Sequence, residues 1–158
     1  MKKTFIMSIV AALVLLATLT GVARAEKKGL PLKGTLQAVE MLDFSNPPIM
    51  TSTASGSGIA TQLGRYILSW EVEVNLETIS GTGTGHIVAA NGDNLYTLAT
   101  GQATPLNEPN VFHVVENMII TGGTGRFAGA SGNFTTDRTV DLTTGVTSGT
   151  INGTIVLP

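Results

Sequence analysis

The stretch from Ile119 to Gly132, IITGGTGRFAGASG, has the spacing in this sequence that is most suggestive of chemistry. Gly123 to Ala128 match G-x-G-x-x-A, the turn that carries a dinucleotide pyrophosphate at the start of a helix. That chemistry needs a helix directly after the glycines, because the helix N-terminus supplies the anion-binding amides. Here Gly129 follows at once, and the residues after Gly132 read as a strand. The sequence therefore predicts neither nucleotide binding nor any other cofactor.

The same glycines suit a sharp reversal of the chain. Gly122, Gly123 and Gly125 are predicted to be turn-forming residues at the rim of a β-structure, because glycine accepts positive φ without steric cost. The segment after them has room for one helical turn at most. Phe127, which lies in that turn, is predicted to cap one end of the core.

Two other groups of residues are of types that could form a reaction centre. His86 and His113 are the only histidines, and they lie on different strand-like segments without the converging ligands that a metal requires. Glu71, Glu73 and Glu77 share one face of a strand, which is typical of a solvated surface. We therefore assign no catalytic residue and no metal site.

Aromatic and arginine residues are the remaining candidates for a ligand site. The aromatic side chains are expected either to fill the core or to line a cavity. The arginines occur as Gly-Arg-aromatic and are expected at a rim, either stacked on a ring or paired with an acid, or in contact with an anionic group of a ligand. The candidate ligand-binding residues, in the barrel interior or at its rim, are Tyr66, Trp70, Tyr96, Phe112, Arg65 and Arg126.

The elements that position these residues are strands. From Tyr66 to Glu77 apolar and polar residues alternate, which predicts one buried face that includes Trp70 and one wet face. Asn91-Gly92 lies between two strand-like runs, a strong hairpin signal. A second hairpin is predicted at residues 143–145. Residues 44–50, with Pro47-Pro48, are predicted to be a loop outside any ladder.

Repeated strand signals with short connections predict an all-β chain. About eight antiparallel strands of this length can close into a single β-barrel, which removes exposed edges. A two-sheet β-sandwich is the alternative. The predicted strands lie near residues 34–42, 54–62, 65–77, 80–90, 94–104, 110–121, 129–141 and 146–157.

The segment ITGGTGRFAGASGNF resembles the motif before the penultimate strand of the dirigent and allene oxide cyclase barrels. GSGIATQLGRY and AANGDNLYTLATG also look like pieces of small exported bacterial proteins with this barrel. The resemblance implies an eight-stranded barrel. Members with known activities bind hydrophobic intermediates inside the barrel and commonly form trimers, so a homo-oligomer, dimer or trimer, is an expectation. No catalytic residue is carried over from the family.

The first 25 residues read as a signal peptide. Lys2 and Lys3 precede an apolar run, and Ala23-Arg24-Ala25 matches the A-x-A cleavage pattern, so residues 26–158 are expected to form the mature barrel domain. Of 9 Lys and Arg residues, three lie in this leader, which leaves six against 11 acids and a mature net charge of about −5. The chain has no cysteine. We expect a periplasmic or secreted protein with no integral membrane span after cleavage and no nucleic-acid partner.

Three classes of function are compatible with such a chain. The favoured one is non-catalytic binding of a small apolar or amphipathic molecule. A structural or protein-interaction role at the cell envelope and a cyclase- or isomerase-like enzyme are the alternatives. An interior cavity of about 300 Å³ or more would favour binding, and a packed interior would favour a structural role.

Overall fold

The computed structural model describes residues 27–158, which form one closed antiparallel barrel. Each strand pairs with the next along the chain, and β1 closes the barrel against β8. The all-β barrel of eight strands is therefore confirmed, and the sandwich alternative is wrong. The predicted signal peptide lies outside the described residues. The strands are β1 Leu30–Asn46, β2 Ile49–Ala60, β3 Gly64–Asn75, β4 Ser80–Val88, β5 Asn94–Pro105, β6 Val111–Gly123, β7 Ser131–Asp141 and β8 Val146–Val156.

Strict alternation of residue type decides which side chains enter the barrel. On β3, Tyr66 and Val72 are buried, whereas Ile67 is 61% exposed and Glu71 is exposed. Because successive side chains of a strand point to opposite faces, Trp70 shares the inner face with Tyr66 and Val72. The inward face predicted for this strand is confirmed.

The loop predicted over residues 44–50 is wrong. β1 continues to Asn46 and β2 begins at Ile49, with Asn46 and Ile49 paired across the turn. Pro47 and Pro48 alone make the reversal. Proline removes a ladder donor only at its own position, so two prolines confined to the turn leave both strands intact. Met50, which the loop prediction included, is a buried residue of β2.

Large side chains on one strand lie over small ones on the next. The inner face of β2 carries Ala54, Gly56, Gly58 and Ala60. A Cβ atom at Gly58 would lie 2.5 Å from the hydroxyl oxygen of Tyr66, so the phenol ring occupies the space that a side chain would need. This pairing of large with small residues fills a barrel whose strands are close together.

One end of the barrel is closed by a packed core. A single 3₁₀ turn, Gly125–Phe127, places the Phe127 ring there with no exposed surface. No helix among residues 27–158 is long and apolar enough to cross a membrane. The turns at residues 61–63 and 89–93 lie at this closed end, whereas those at 47–48, 76–79, 106–110 and 142–145 lie at the opposite end, because adjacent strands run in opposite directions. The fully or almost fully buried residues around Phe127 are Leu32, Leu63, Leu95 and Ile155.

Candidate binding site

The opposite end of the barrel opens into a cavity of about 100 Å³, which we call the outer chamber. Its walls are almost entirely apolar, and they come from β1 to β7 and from the turns at residues 76–79 and 142–145. Phe44 and Leu76 at its edge are 50% and 41% exposed, so the entrance is apolar as well. The main wall residues are Met50, Val72, Val74, Ile79, Ala99, Ala103, Phe112, Val114, Val140 and Leu142.

The polar part of the chamber wall is a buried ion cluster centred on Arg138. The guanidinium donates to both carboxylate oxygens of Glu116, from Nε to Oε2 and from Nη2 to Oε1, at 3.0 Å each. Its Nη1 donates to Glu40 and, at 3.0 Å, to the hydroxyl of Thr147. The bidentate pair fixes the orientation of the guanidinium plane.

Hydroxyl groups complete the cluster. Ser52 Oγ donates to Oε2 of Glu40 at 2.7 Å, and Thr136 Oγ1 donates to Oε2 of Glu116 at 2.6 Å. The side chains of Arg138, Glu40 and Glu116 are 5%, 4% and 11% exposed. Such burial is tolerable for charged groups only when they are paired and hydrogen-bonded, as they are here.

The electrostatics of the cluster favour the ionised forms of Glu116 and Arg138. Burial by itself raises the pKa of Glu116, but the hydrogen bonds and charge of Arg138 outweigh it and hold that pKa below its ordinary value. Burial likewise disfavours the charged guanidinium, yet Glu116 and Glu40 together raise the pKa of Arg138. Two carboxylates and one guanidinium therefore share the middle of the barrel.

A second, smaller cavity of about 40 Å³ lies on the other side of this cluster, between it and the closed end. Trp70 and Tyr66 line this inner chamber. The Tyr66 hydroxyl donates to the carbonyl of Thr35 at 2.9 Å, and burial raises the pKa of Tyr66 to about 12. The indole Nε1 of Trp70 is buried and has no hydrogen-bond partner among residues 27–158. The space is large enough for one water molecule.

The barrel is similar to a solved structure. A pterocarpan synthase dirigent protein superposes with a TM-score of 0.57 and a probability of 1.00, covering 98% of each chain at 19% sequence identity. The chain has a dirigent-like barrel fold. No protein-family model matches the sequence, and no curated protein matches it. At this identity the likeness shows the fold alone.

Within the dirigent-like barrel, three of the aromatic residues proposed from sequence lie on the inner side. Tyr66 and Trp70 line the inner chamber, and Phe112 lines the outer one. An interior placement of Tyr96 is wrong. Tyr96 is 43% exposed and stacks on His86 outside the barrel, with ring centroids 5.3 Å apart. The cause is strand parity, since Leu95 and Thr97 on either side of it are the buried residues of β5.

The two arginines proposed from sequence lie at the closed end, away from the outer chamber. Arg65 is exposed at the start of β3, on the outer side of the barrel. Arg126 is exposed beside the ring of Phe127, 5.2 Å from its centroid, and its backbone N–H donates to Asp93 at 2.9 Å. Neither contacts the chamber, so the arginine that lines it is Arg138.

Of the three predicted turn glycines, Gly122 and Gly123 are the last two residues of β6 and Gly125 is the first residue of the 3₁₀ turn. Gly122 and Gly125 have φ of +134° and +53°, values that favour glycine. Gly123 has no positive φ, but a Cβ there would lie 2.7 Å from that of Phe127. Residues 27–158 contain no cluster of three or more His, Cys, Asp or Glu side chains suited to a metal.

Sequence reasoning missed Glu40, Glu116 and Arg138, although a signal for each was present. Each is a charged residue at a position where the alternation along its strand points the side chain inwards, among apolar neighbours. Glu40 follows Leu36 and Ala38 at period 2, and the other two likewise alternate with buried apolar residues. A charge at an inward position of a barrel strand requires a partner, and that requirement is what predicts an interior ion cluster.

Proposed function

We propose that this barrel binds a small amphipathic molecule without transforming it, and that the molecule enters the outer chamber end-first. The observation that carries the proposal is the asymmetry of the barrel. One end is packed around Phe127, and the other opens through an apolar entrance onto a chamber with an ion cluster in its wall.

The size of the chamber limits what it can enclose. Its volume of about 100 Å³ and the 40 Å³ of the inner chamber are below the roughly 300 Å³ at which small-molecule pockets begin, so these chambers do not reach the volume that would favour enclosure of a whole ligand. A dry cavity of about 150 Å³ suffices for one benzene molecule. The occupant is therefore a small group, or the end of a longer molecule whose remainder stays at the entrance against Phe44 and Leu76.

Binding without catalysis is favoured by the state of the chamber's titratable groups. Glu116 is held by Arg138 and Thr136, and its lowered pKa makes it a weak base at neutral pH. Glu40 is likewise held, by Arg138 and Ser52. A dirigent role, which the fold suggests by analogy, would use the same chamber.

A protein-interaction role is the second candidate, and a patch on the outer surface favours it. Leu98 and Ile119 are direct cross-strand partners on β5 and β6 and are 50% and 47% exposed. Tyr96 lies on the same outer face of β5. Adjacent exposed apolar residues of this kind occur at interaction surfaces. The sequence of residues 1–25 supports a periplasmic or secreted location for either role.

The binding proposal is tested by titrating the protein with 1-hexanol and following heat by calorimetry and the emission of Trp70, the only tryptophan. Ala103→Phe adds a ring to the chamber wall and should abolish the response. Thr100→Phe, on the exposed face of the same strand, is the matched control and should retain it. Saturable binding that is equal in both variants, or no binding in the wild type, would show that the chamber is not a ligand site.

A further inference from the structure

The hydrogen-bonding capacity left over in the ion cluster is mainly that of an acceptor. Two carboxylates have about eight acceptor positions between them. Arg138, Ser52 and Thr136 fill five of these. Arg138 has five N–H donors, of which four are used, including the one to Thr147. About three acceptor positions and one donor therefore remain unused. A group that donates several hydrogen bonds would match this surplus of acceptors.

The charge of the chamber points the same way. Glu40, Glu116 and Arg138 are the only ionisable side chains among the residues that line it, and with both carboxylates ionised they sum to one negative charge. A net charge inside an apolar barrel is poorly solvated, and its interaction with an opposite charge is stronger there than in water. A positively charged group beside the carboxylates would neutralise the interior.

A primary ammonium group meets both requirements. It carries one positive charge and three N–H donors, the number of acceptor positions that remain. A carboxylate on the ligand would instead add a second uncompensated negative charge, and an ether or ketone would offer acceptors to a cluster that has only one spare donor. A divalent metal is disfavoured, because residues 27–158 provide no group of three side chains suited to it.

From these observations we propose that the outer chamber selects short aliphatic or arylalkyl primary amines, bound with the ammonium group on Glu40 and Glu116 and the hydrocarbon towards the entrance. The apolar walls, including Val74, Phe112 and Leu142, cover the hydrocarbon. The inference rests on the proposed function, since it assigns the chemistry of the molecule held in that chamber.

The test compares three six-carbon molecules that differ only in the head group. Hexylammonium, 1-hexanol and hexanoate are titrated into residues 26–158 at pH 7 and low salt, with calorimetry and Trp70 emission as readouts. We expect hexylammonium to bind at least about tenfold more tightly than 1-hexanol, the margin that one charge-assisted hydrogen bond provides. We expect hexanoate to bind more weakly than either.

The outcomes separate the inference from the function on which it rests. Equal or tighter binding of 1-hexanol, or preference for hexanoate, overturns the amine assignment and leaves binding in the chamber intact. Failure of all three molecules to bind overturns the proposed function and the inference with it. The comparison uses the wild type, so it does not depend on a variant that folds poorly.

A variant provides a second, independent test of the amine assignment. Glu40→Gln keeps the shape of the side chain and removes the charge that lies beside Arg138 and Ser52. The preference for hexylammonium over 1-hexanol, taken as the ratio of the two affinities in the same variant, should fall by about tenfold or more. Glu71→Gln, on the exposed face of β3, is the control and should keep the preference. An unchanged preference in folded Glu40→Gln would overturn the inference.

Discussion

The guanidinium of Arg138 lies over the indole ring of Trp70, 4.9 Å from its centroid, in the middle of the barrel. The ring covers the apolar face of the guanidinium, and the edge of the guanidinium makes the hydrogen bonds to the two glutamates. Arginine suits this position because its flat group can stack and form a fork of hydrogen bonds at the same time. The only tryptophan is therefore in direct contact with the ion cluster.

Removing the arginine should destabilise the barrel strongly. Arg138→Ala leaves Glu40 and Glu116 buried without their counter-charge, a loss that costs about 3–5 kcal/mol of unfolding free energy. Urea denaturation at pH 7 measures it. Arg126→Ala, at an exposed arginine, is the control and should change stability by less than about 0.5 kcal/mol. Similar small effects for both would mean that the cluster is hydrated and not a buried network.

Acid should weaken the fold through Glu116. Its pKa is lowered from an ordinary value of 4.5, so its contribution to stability is present above about pH 4.5 and is lost as pH falls through the folded pKa. Denaturation at a series of pH values between 6 and 3 should show this decline. Exposed Asp43 and Asp141, whose pKa values are also lowered, add to it in every variant. Glu116→Gln should therefore show a shallower decline than the wild type, and an identical slope would contradict the assignment.

Trp70 should emit at short wavelength and contribute strongly to stability. It shares the inner face of β3 with Tyr66 and Val72, so its emission should be blue-shifted and poorly quenched by iodide. Trp70→Ala should cost roughly 3–5 kcal/mol, because a large inward-facing ring is replaced by a cavity. Glu71→Ala, one residue along on the outer face, should cost within about 0.5 kcal/mol. Red-shifted, freely quenched emission would place the ring outside the barrel.

Two glycines with positive φ differ in the space around them. Alanine at one would suffer backbone strain alone, and alanine at the other would suffer backbone strain and a steric clash. Gly92 has φ of +86° and open space where a Cβ would stand, so Gly92→Ala should cost about 1 kcal/mol. A Cβ at Gly125, with φ of +53°, would collide with the carboxylate of Asp93, so Gly125→Ala should cost more. Combining it with Asp93→Ala should recover part of the difference in thermal melts. An effect of millimolar NAD or ATP on the melting temperature of the wild type but not of Gly125→Ala would restore the dinucleotide interpretation.

Sequence alone predicts most of the strands, because alternation such as that of Tyr66 to Glu77 is a direct consequence of one wet and one buried face. It misplaces the ends of β1 and β2, since Pro47-Pro48 marks a break without showing that the break is only two residues long. The aromatic character of Tyr96 predicts a place in the interior or at the rim, whereas the alternation of its strand points the ring outwards.

The ion cluster is harder to foresee. The inward parity of Glu40, Glu116 and Arg138 can be read on each strand separately. They meet only because of the stagger of β1, β6 and β7, the strands that carry them. This register is set by turns and by packing across β6, β7, β8 and β1. The chemistry of the chamber therefore emerges only when the three strands are placed in one closed sheet.

Closure of the sheet also has a consequence for the order in which the chain folds. Seven of the eight strand pairs join neighbours in sequence, whereas β1 must find β8 from the far end of the domain. Ordering so long a loop is entropically costly, so we expect this seam to form last. The hydrogen bond from Arg138 to Glu40 spans 98 residues and crosses the seam. Glu40→Gln keeps an acceptor oxygen but removes the charge that strengthens this bond. It should therefore speed unfolding and leave the refolding rate nearly unchanged in stopped-flow measurements, because the ion cluster stabilises the barrel only after the seam has closed.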